Sequence, residues 1–156
     1  MVCLGGIGHS RWRVARRPAL RRGLVRPISN TEIGRPTVKS AAFDYVKPAA
    51  MAELFELLQS HGDDARILAG GQTLLATLNM RLSEPQLVID ITGLNELRGI
   101  RQEGDRLYIG ALTTHTEIEN SPLVSQHAPM LAMAAPHIAH RAIRNFGTWG
   151  GSIAYG

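Results

Sequence analysis

Residues 67–75 read Ile-Leu-Ala-Gly-Gly-Gln-Thr-Leu-Leu, and this stretch decides the fold. An apolar run leads into paired glycines, and a hydroxyl side chain and a second apolar run follow. Such a strand-to-helix turn brings backbone N–H groups close to an anion, because glycine has no Cβ in the way. The spacing matches neither G-x-G-x-x-G nor a Walker A loop, since a third glycine and a lysine are missing. The alternative interpretation is a plain tight turn with Thr73 as a helix cap.

A second glycine-rich stretch occupies residues 144–152 and reads Arg-Asn-Phe-Gly-Thr-Trp-Gly-Gly-Ser. Its glycines lie beside Thr148 and Ser152, so the two stretches together predict a dinucleotide held from two sides. A flexible hairpin is the alternative for this stretch alone. Arg144 is either a counter-charge for a phosphate or the partner of a surface acid. Because the stretch lies close to Gly156, we expect the site that it serves to be incomplete.

Hydrophobic periodicity around the two stretches predicts alternating strands and helices, and therefore a mixed α/β architecture. The predicted strands are 43–46, 66–69 and 86–91, with a hairpin formed by 97–101 and 107–110. One helix opens at Pro48 and ends at Gly62, with a buried stripe of Met51, Leu54, Phe55 and Leu58. A second helix covers 73–81 with Leu74, Leu75, Leu78 and Leu82 on one side. Thr114 and Glu117 predict a capping box, and 123–140 is helical with interruptions at Pro129 and Pro136.

Composition excludes several classes of function. The chain has 156 residues, the length of one domain, and its single cysteine, Cys3, excludes a disulfide framework and a cysteine-ligated iron–sulfur cluster. No membrane span is expected, because no apolar run approaches about 20 residues, and the single cysteine favours a reducing cytoplasm. His137 and His140 lack a third metal ligand nearby, and His115 is expected to be exposed. With no catalytic residues and no metal site predicted, the pattern fits a cofactor that carries the reaction.

The basic charge belongs to a leader, residues 1–39, in which eight arginines and Lys39 face Glu32 alone. Residues 40–156 carry a net charge of −4, so no nucleic-acid partner is expected. A basic nucleic-acid-binding arm and a transit peptide are alternatives for this segment, but its composition favours a disordered extension. A start at Val38, read as an alternative initiation codon, is a specific hypothesis for the leader.

Four segments, in this order and spacing, carry a resemblance to a known family: Ala41–Pro48, Leu68–Leu75, Ile109–Thr114 and Ile143–Ser152. Together they resemble the FAD-binding medium subunit of molybdenum hydroxylases, the group of aerobic carbon monoxide dehydrogenase and xanthine dehydrogenase. The resemblance covers about residues 40 to 156. It differs from many relatives at Phe146, where they have Arg, and at Trp149, where they have an aliphatic residue.

The resemblance implies an α/β FAD-binding domain of the type that vanillyl-alcohol oxidase shares, here truncated. A small βαββ subdomain would cover about 40–95, and 96–156 would begin the larger subdomain. We expect weak or no FAD retention by such a fragment. The implied cofactor-binding residues are Leu68, Ala69, Gly70, Gly71, Gln72, Thr73, Leu74, Leu75, Ile109, Gly110, Ala111, Thr148, Trp149, Gly150, Gly151 and Ser152.

The family's function implies an electron relay. A large molybdopterin-binding partner subunit would oxidise the substrate. The electrons would then pass through the [2Fe–2S] clusters of a small partner subunit to FAD, and from FAD to an acceptor. Two alternatives stay open at the level of sequence: a fragment of a vanillyl-alcohol-oxidase-type flavin oxidase, and a non-enzymatic α/β binding module.

Overall fold

The computed structural model describes residues 26–27 and 39–155, in a mixed α/β arrangement. The strands are β1 (Arg26–Pro27), β2 (Asp44–Val46), β3 (Ala65–Leu68), β4 (Leu87–Asp90), β5 (Ile100–Glu103) and β6 (Arg106–Ile109). The helices are α1 (Met51–His61), α2 (Leu74–Asn79), α3 (His115–Glu119), α4 (Pro122–His127), α5 (Pro129–Ala134), α6 (Arg141–Arg144) and α7 (Trp149–Tyr155). Only Arg26–Pro27 of residues 1–38 is described, so the expected disorder of the leader stays a prediction.

A four-stranded sheet in the order β1-β2-β4-β3 organises the first half of the domain. Strand β4 runs parallel to both β2 and β3, and β1 pairs with β2 in the antiparallel sense. Every residue of β4 is buried, as its near-continuous apolar sequence predicts for a central parallel strand. Val46 and Ile89 pack with α1, whereas Val88 packs with α2 on the opposite face. The expected βαββ order is therefore present with one extra short helix, α2.

The two predicted apolar stripes are wrong at three positions, one on α1 and two on or after α2. Phe55 is 60% exposed, because α1 faces the sheet through Leu54 and Leu58. On α2, Leu74 and Leu78 are buried as predicted, but Leu75 is 46% and Leu82 71% exposed. One residue advances a helix by about 100°, which carries Leu75 away from the face of Leu74. Leu82 lies beyond the helix, which ends before the left-handed Arg81.

The second half of the domain joins the predicted hairpin, β5–β6, to five short helices. The Thr114–Glu117 capping box is confirmed, with both of its reciprocal hydrogen bonds present at the start of α3. Pro122 and Pro129 each begin a helix, which divides the predicted 123–140 stretch into α4, α5 and a 3-10 turn at Ala135–His137. Ile118, Val124 and Ala135 form the core of this half. Within the described ranges, no helix has the length and apolar character needed to cross a membrane.

The Arg144 side chain connects α6 to α3 and to the segment that follows α5. Its Nε donates to Glu119 at 3.0 Å, and its Nη1 donates to the carbonyl oxygens of Pro136, Ile138 and Ala139 at 3.0–3.2 Å. The arginine side chain is 12% exposed. Of the two sequence interpretations of Arg144, the structure confirms pairing with an acid.

Replacing Arg144 by Met should lower the free energy of unfolding by about 3 kcal/mol, because Glu119 and three carbonyls lose their donor in a largely buried place. Urea unfolding followed by circular dichroism measures the change. The matched control is Arg101→Met, whose ion pair with Glu103 is more than half exposed on both sides and should matter by at most about 1 kcal/mol. Equal losses in the two variants would contradict the role given to Arg144.

A polar cluster lies at the carboxyl end of the parallel sheet, where β2 and β4 finish. The Tyr45 hydroxyl donates to Asp90, whose other oxygen accepts from the Thr92 N–H at 2.8 Å, and Lys47 Nζ lies 3.8 Å from the Asp90 carboxylate. Burial alone would raise the pKa of Asp90, but the bonds from Thr92 and Tyr45 and the Lys47 charge outweigh it and lower that pKa. The bond to Asp90, with burial and the carboxylate charge, raises the pKa of Tyr45 to about 12.

Because the pKa of Tyr45 is higher in the folded than in the unfolded chain, its bond to Asp90 stabilises the fold fully below pH 10.0, the ordinary pKa of tyrosine. The contribution should disappear as the pH rises from there through about 12. Tyr45→Phe should therefore cost about 2 kcal/mol at neutral pH and progressively less in alkali, measured by urea unfolding across that range. In an Asp90→Asn background only burial still raises the Tyr45 pKa, so the same change should show a much weaker pH dependence; an undiminished dependence there would show that Asp90 is not its main cause.

Candidate functional site

The first glycine loop, residues 69–73, joins the carboxyl end of β3 to α2. In parallel sheets this end is where ligands bind, because the loops there converge. Gly71 has a φ of 72°, a left-handed conformation that glycine adopts without strain. The Gln72 side-chain amide donates to the Gly70 carbonyl at 3.2 Å, and this bond stabilises the turn.

The second glycine loop, residues 145–148 and the start of α7, lies directly against the first. A Cβ at Gly70 would overlap the carbonyl oxygen of Phe146 and lie 3.0 Å from Cα of Gly147. The two loops thus meet backbone to backbone at a position where only glycine fits. The two stretches singled out in the sequence, far apart along the chain, share one place in the fold.

The segment after β6 supplies the third side of the site. The Gly150 N–H donates to the Ala111 carbonyl at 2.9 Å, and a Cβ at Gly150 would lie 2.6 Å from Cβ of Ala111. The Trp149 N–H donates to the Thr113 carbonyl at 2.8 Å. All three predicted segments, 68–75, 109–111 and 148–152, therefore lie in one neighbourhood.

Residues 148–152 begin a helix, so the flexible-hairpin interpretation is wrong. Thr148 is buried, and its hydroxyl accepts from the Gly151 N–H at 3.2 Å in the manner of a helix N-cap. Gly150 and Gly151 disfavour a helix by their propensity. The approach of Ala111 nonetheless requires glycine at position 150, and a Cβ at Gly151 would lie 2.8 Å from the Thr148 hydroxyl oxygen. The Trp149 indole packs against the core around Ile118, so its bulk lies inside the domain.

The two loops differ in how many N–H groups they leave free. Gly70, Gly71, Gln72, Thr73 and Leu74 have N–H groups with no acceptor among the described residues. In the second loop, the N–H groups of residues 149–152 all donate within the chain. Only the first loop therefore presents a run of unpaired amides, the arrangement that binds an anion.

His115 was expected to be exposed, and this expectation is wrong: it is 2% exposed. Its Nε2 lies 2.9 Å from the Ser152 hydroxyl, and its backbone N–H donates to the Gly147 carbonyl at 3.1 Å. Burial first, and then the charge of Arg144, lower the pKa of His115, which favours the neutral ring. The sequence signal that marks this position is the adjacent capping box, which fixes His115 as the first residue of α3.

The other histidines that the sequence singled out, His137 and His140, are exposed. Within the described part of the chain, no group of three or more His, Cys, Asp or Glu side chains is arranged to hold a metal ion. The side chains of residues 69–73 and 145–152 are small, hydroxyl-bearing, amide-bearing or apolar. Such a set is suited to binding and orienting a ligand.

Comparison with known proteins identifies this arrangement. Residues 41–156 match the family model described as the FAD binding domain in molybdopterin dehydrogenase. The carbon monoxide dehydrogenase medium chain of Hydrogenophaga pseudoflava is 45% identical over 114 residues, which are 73% of this chain and 40% of the relative. The nicotine 6-hydroxylase medium subunit of Paenarthrobacter nicotinovorans is 44% identical over 119 residues, 76% of this chain and 42% of the relative.

Solved structures agree. A carbon monoxide dehydrogenase from Hydrogenophaga pseudoflava that lacks the Mo-pyranopterin moiety superposes with a TM-score of 0.73 at 44% identity, over 75% of this chain and 41% of that one. Quinoline 2-oxidoreductase from Pseudomonas putida 86 gives 0.71 at 41% identity, over 74% and 40%.

The chain spans about two fifths of the length of the curated relatives that it matches. Within that span the comparisons confirm three expectations from the four sequence segments: the family resemblance, the α/β fold class and FAD as the cofactor. The match to this family model also favours it over the two alternatives, a vanillyl-alcohol-oxidase-type flavin oxidase and a non-enzymatic α/β binding module. The chain belongs to the family of FAD-binding domains of molybdopterin dehydrogenases.

Proposed function

We propose that this chain is the N-terminal part of a flavin-binding medium subunit in a molybdenum hydroxylase complex. In this role it holds FAD between the [2Fe–2S] clusters of a small subunit and an electron acceptor, while a large molybdopterin subunit oxidises the substrate. The relatives named as medium chains and subunits support this assignment. The cytoplasmic location expected from the lone cysteine belongs to the same proposal.

The observation that carries the proposal is the run of unpaired N–H groups from Gly70 to Leu74. A pyrophosphate offers several anionic oxygens to such a run, and the start of α2 adds its partial positive charge. Thr73 caps α2 without a side-chain hydrogen bond, so its hydroxyl is free to donate as well. We assign the pyrophosphate of FAD to residues 69–73, flanked by Leu68, Leu74 and Leu75.

The second loop and the segment after β6 hold the cofactor in a different way. Most of their amides donate within the chain, with Ala111 and Thr148 as the exceptions, so they offer at most isolated N–H groups together with the exposed Ser152 hydroxyl and the close-packed backbones of Gly150 and Ala111. The contact between Gly70 and Phe146 keeps the two loops together. We therefore assign the non-phosphate portion of FAD to residues 109–111 and 148–152, with Trp149 contributing from the core side.

Bound FAD supplies a redox centre that links one-electron carriers to a two-electron acceptor. The residues of this chain bind and orient it. None of the assigned side chains carries an acid or a base, so the chain contributes position and polarity while substrate chemistry takes place elsewhere.

Replacing Thr73 by Val should weaken FAD binding about tenfold, because a hydrogen bond to a charged oxygen is lost, and leave stability nearly unchanged. Quenching of flavin fluorescence measures the affinity, and riboflavin, which lacks the pyrophosphate, should bind far more weakly than FAD. Thr77→Val is the matched control: its hydroxyl donates to the Leu74 carbonyl at 2.8 Å and accepts from Tyr155, so it should lower stability and spare the affinity. A folded chain that binds riboflavin as tightly as FAD would contradict the assignment.

The expected weak retention of FAD through gel filtration stays a separate prediction.

Replacing Gly70 by Ala should lower the free energy of unfolding by about 2–3 kcal/mol and abolish measurable FAD binding, because its Cβ forces the Phe146 carbonyl away. Thermal melts and the FAD titration measure the two effects. In the control Gly93→Ala, the one close approach of the new Cβ is to Cε of the flexible Lys47 side chain at 3.0 Å, and its next neighbours lie at an ordinary 3.8 Å, so little disturbance is expected. Unchanged FAD affinity in a destabilised Gly70→Ala chain would show that the loop contact does not serve the cofactor.

A further inference from the structure

His115 lies beneath the second glycine loop and touches it at two points. Its backbone N–H donates to the Gly147 carbonyl, and a Cβ at Gly147 would lie 3.1 Å from Cδ2 of the ring. The capping box of α3 fixes the backbone of the histidine, and the bond from Thr116 to Asn145 at 2.8 Å ties α3 to the loop again. The ring is therefore held in one place.

The two ring nitrogens have unequal surroundings. Nε2 lies 2.9 Å from the Ser152 hydroxyl oxygen, whereas Nδ1 is buried and has no hydrogen-bond partner among the described residues. A proton on Nδ1 would leave a buried donor without an acceptor. A proton on Nε2 leaves only an unpaired acceptor, and orphaned N–H groups are the rarer of the two in proteins. A doubly protonated ring would bury a charge as well as an orphaned donor.

The position of this proton decides what Ser152 offers to a ligand. A hydroxyl has one donor proton and two acceptor lone pairs. If Nε2–H donates to Ser152, one lone pair is used and the hydroxyl proton must point away from the ring. With the opposite tautomer, the serine proton would be spent on Nε2. Ser152 is exposed, so the first arrangement presents a free donor at the surface of the loop.

We propose that His115 is a positioning residue: its Nε2–H fixes the Ser152 hydroxyl as a hydrogen-bond donor to an acceptor atom of the bound flavin cofactor. The identity of the ligand rests on the proposed function, whereas the direction of the Ser152 donor rests on the geometry of the chain itself. Thr73 serves the pyrophosphate from the first loop, and Ser152 serves the opposite side. No local sequence pattern indicates this pairing, because 37 positions separate His115 from Ser152.

The tautomer is measured directly in the cofactor-free chain. Long-range ¹H–¹⁵N correlation on the ¹⁵N-histidine-labelled chain, near neutral pH, should show His115 neutral with its proton on Nε2. His61 is an internal control for the opposite tautomer, because its Nδ1 lies 3.0 Å from the Leu57 carbonyl, which only accepts. A proton on Nδ1 of His115, or a charged ring, overturns the proposal.

Two variants of His115 test the contributions of Nε2 and Nδ1 separately. His115→Gln places an amide donor near the position of Nε2, whereas His115→Asn reaches only the position of Nδ1. FAD affinity should stay within about twofold for His115→Gln and fall about fivefold to tenfold for His115→Asn and for Ser152→Ala. The double variant His115→Asn/Ser152→Ala should lose no more than Ser152→Ala alone, since both changes remove one interaction.

Melting curves confirm that each variant is folded before its affinity is compared. Wild-type affinity in His115→Asn or in Ser152→Ala overturns the role of the pair, while leaving the Thr73 and Gly70 tests of FAD binding in force. Failure of the folded wild-type chain to bind FAD overturns the proposed function and with it the flavin as ligand of Ser152. The tautomer then still decides whether His115 orients the serine.

Discussion

The contact between the Gly70 backbone and the Phe146 carbonyl is the constraint on which the site depends. It joins a loop of the parallel sheet to a loop of the helical half, and no side chain fits between them. Hydrogen bonds continue outward from this contact, from Gly150 to Ala111 and from Trp149 to Thr113. The geometry of a cofactor site here is thus set by backbone atoms, which substitutions elsewhere disturb little.

Within the second loop every N–H group except that of Thr148 donates to the described chain, so the two glycine motifs have different physical roles. In the first loop glycine leaves N–H groups free and permits the positive φ of Gly71. In the second loop glycine permits close packing, as Gly150 does against Ala111. Motifs of the same composition therefore leave N–H groups free in one place and permit close backbone packing in the other.

Local rules predicted much of the fold from the sequence. The Thr114 capping box, the apolar run of β4 and the proline starts of α4 and α5 all depend on neighbours within a few residues, which the sequence displays. Phe55 and His115 were misjudged because their burial depends on which elements pack over them. The contact between the two loops was a correct inference from composition, whereas the division of labour between their amides required the hydrogen bonds of the folded chain.

Strand order has a consequence for how the protein is made. The first glycine loop hangs from β3, which among the described residues pairs only with β4, a strand made later by the ribosome. Until residues 87–90 leave the exit tunnel, β3 lacks this parallel neighbour. The turn at residues 69–73 therefore gains its sheet support only after the central strand, which is made last of the three, pairs between β2 and β3.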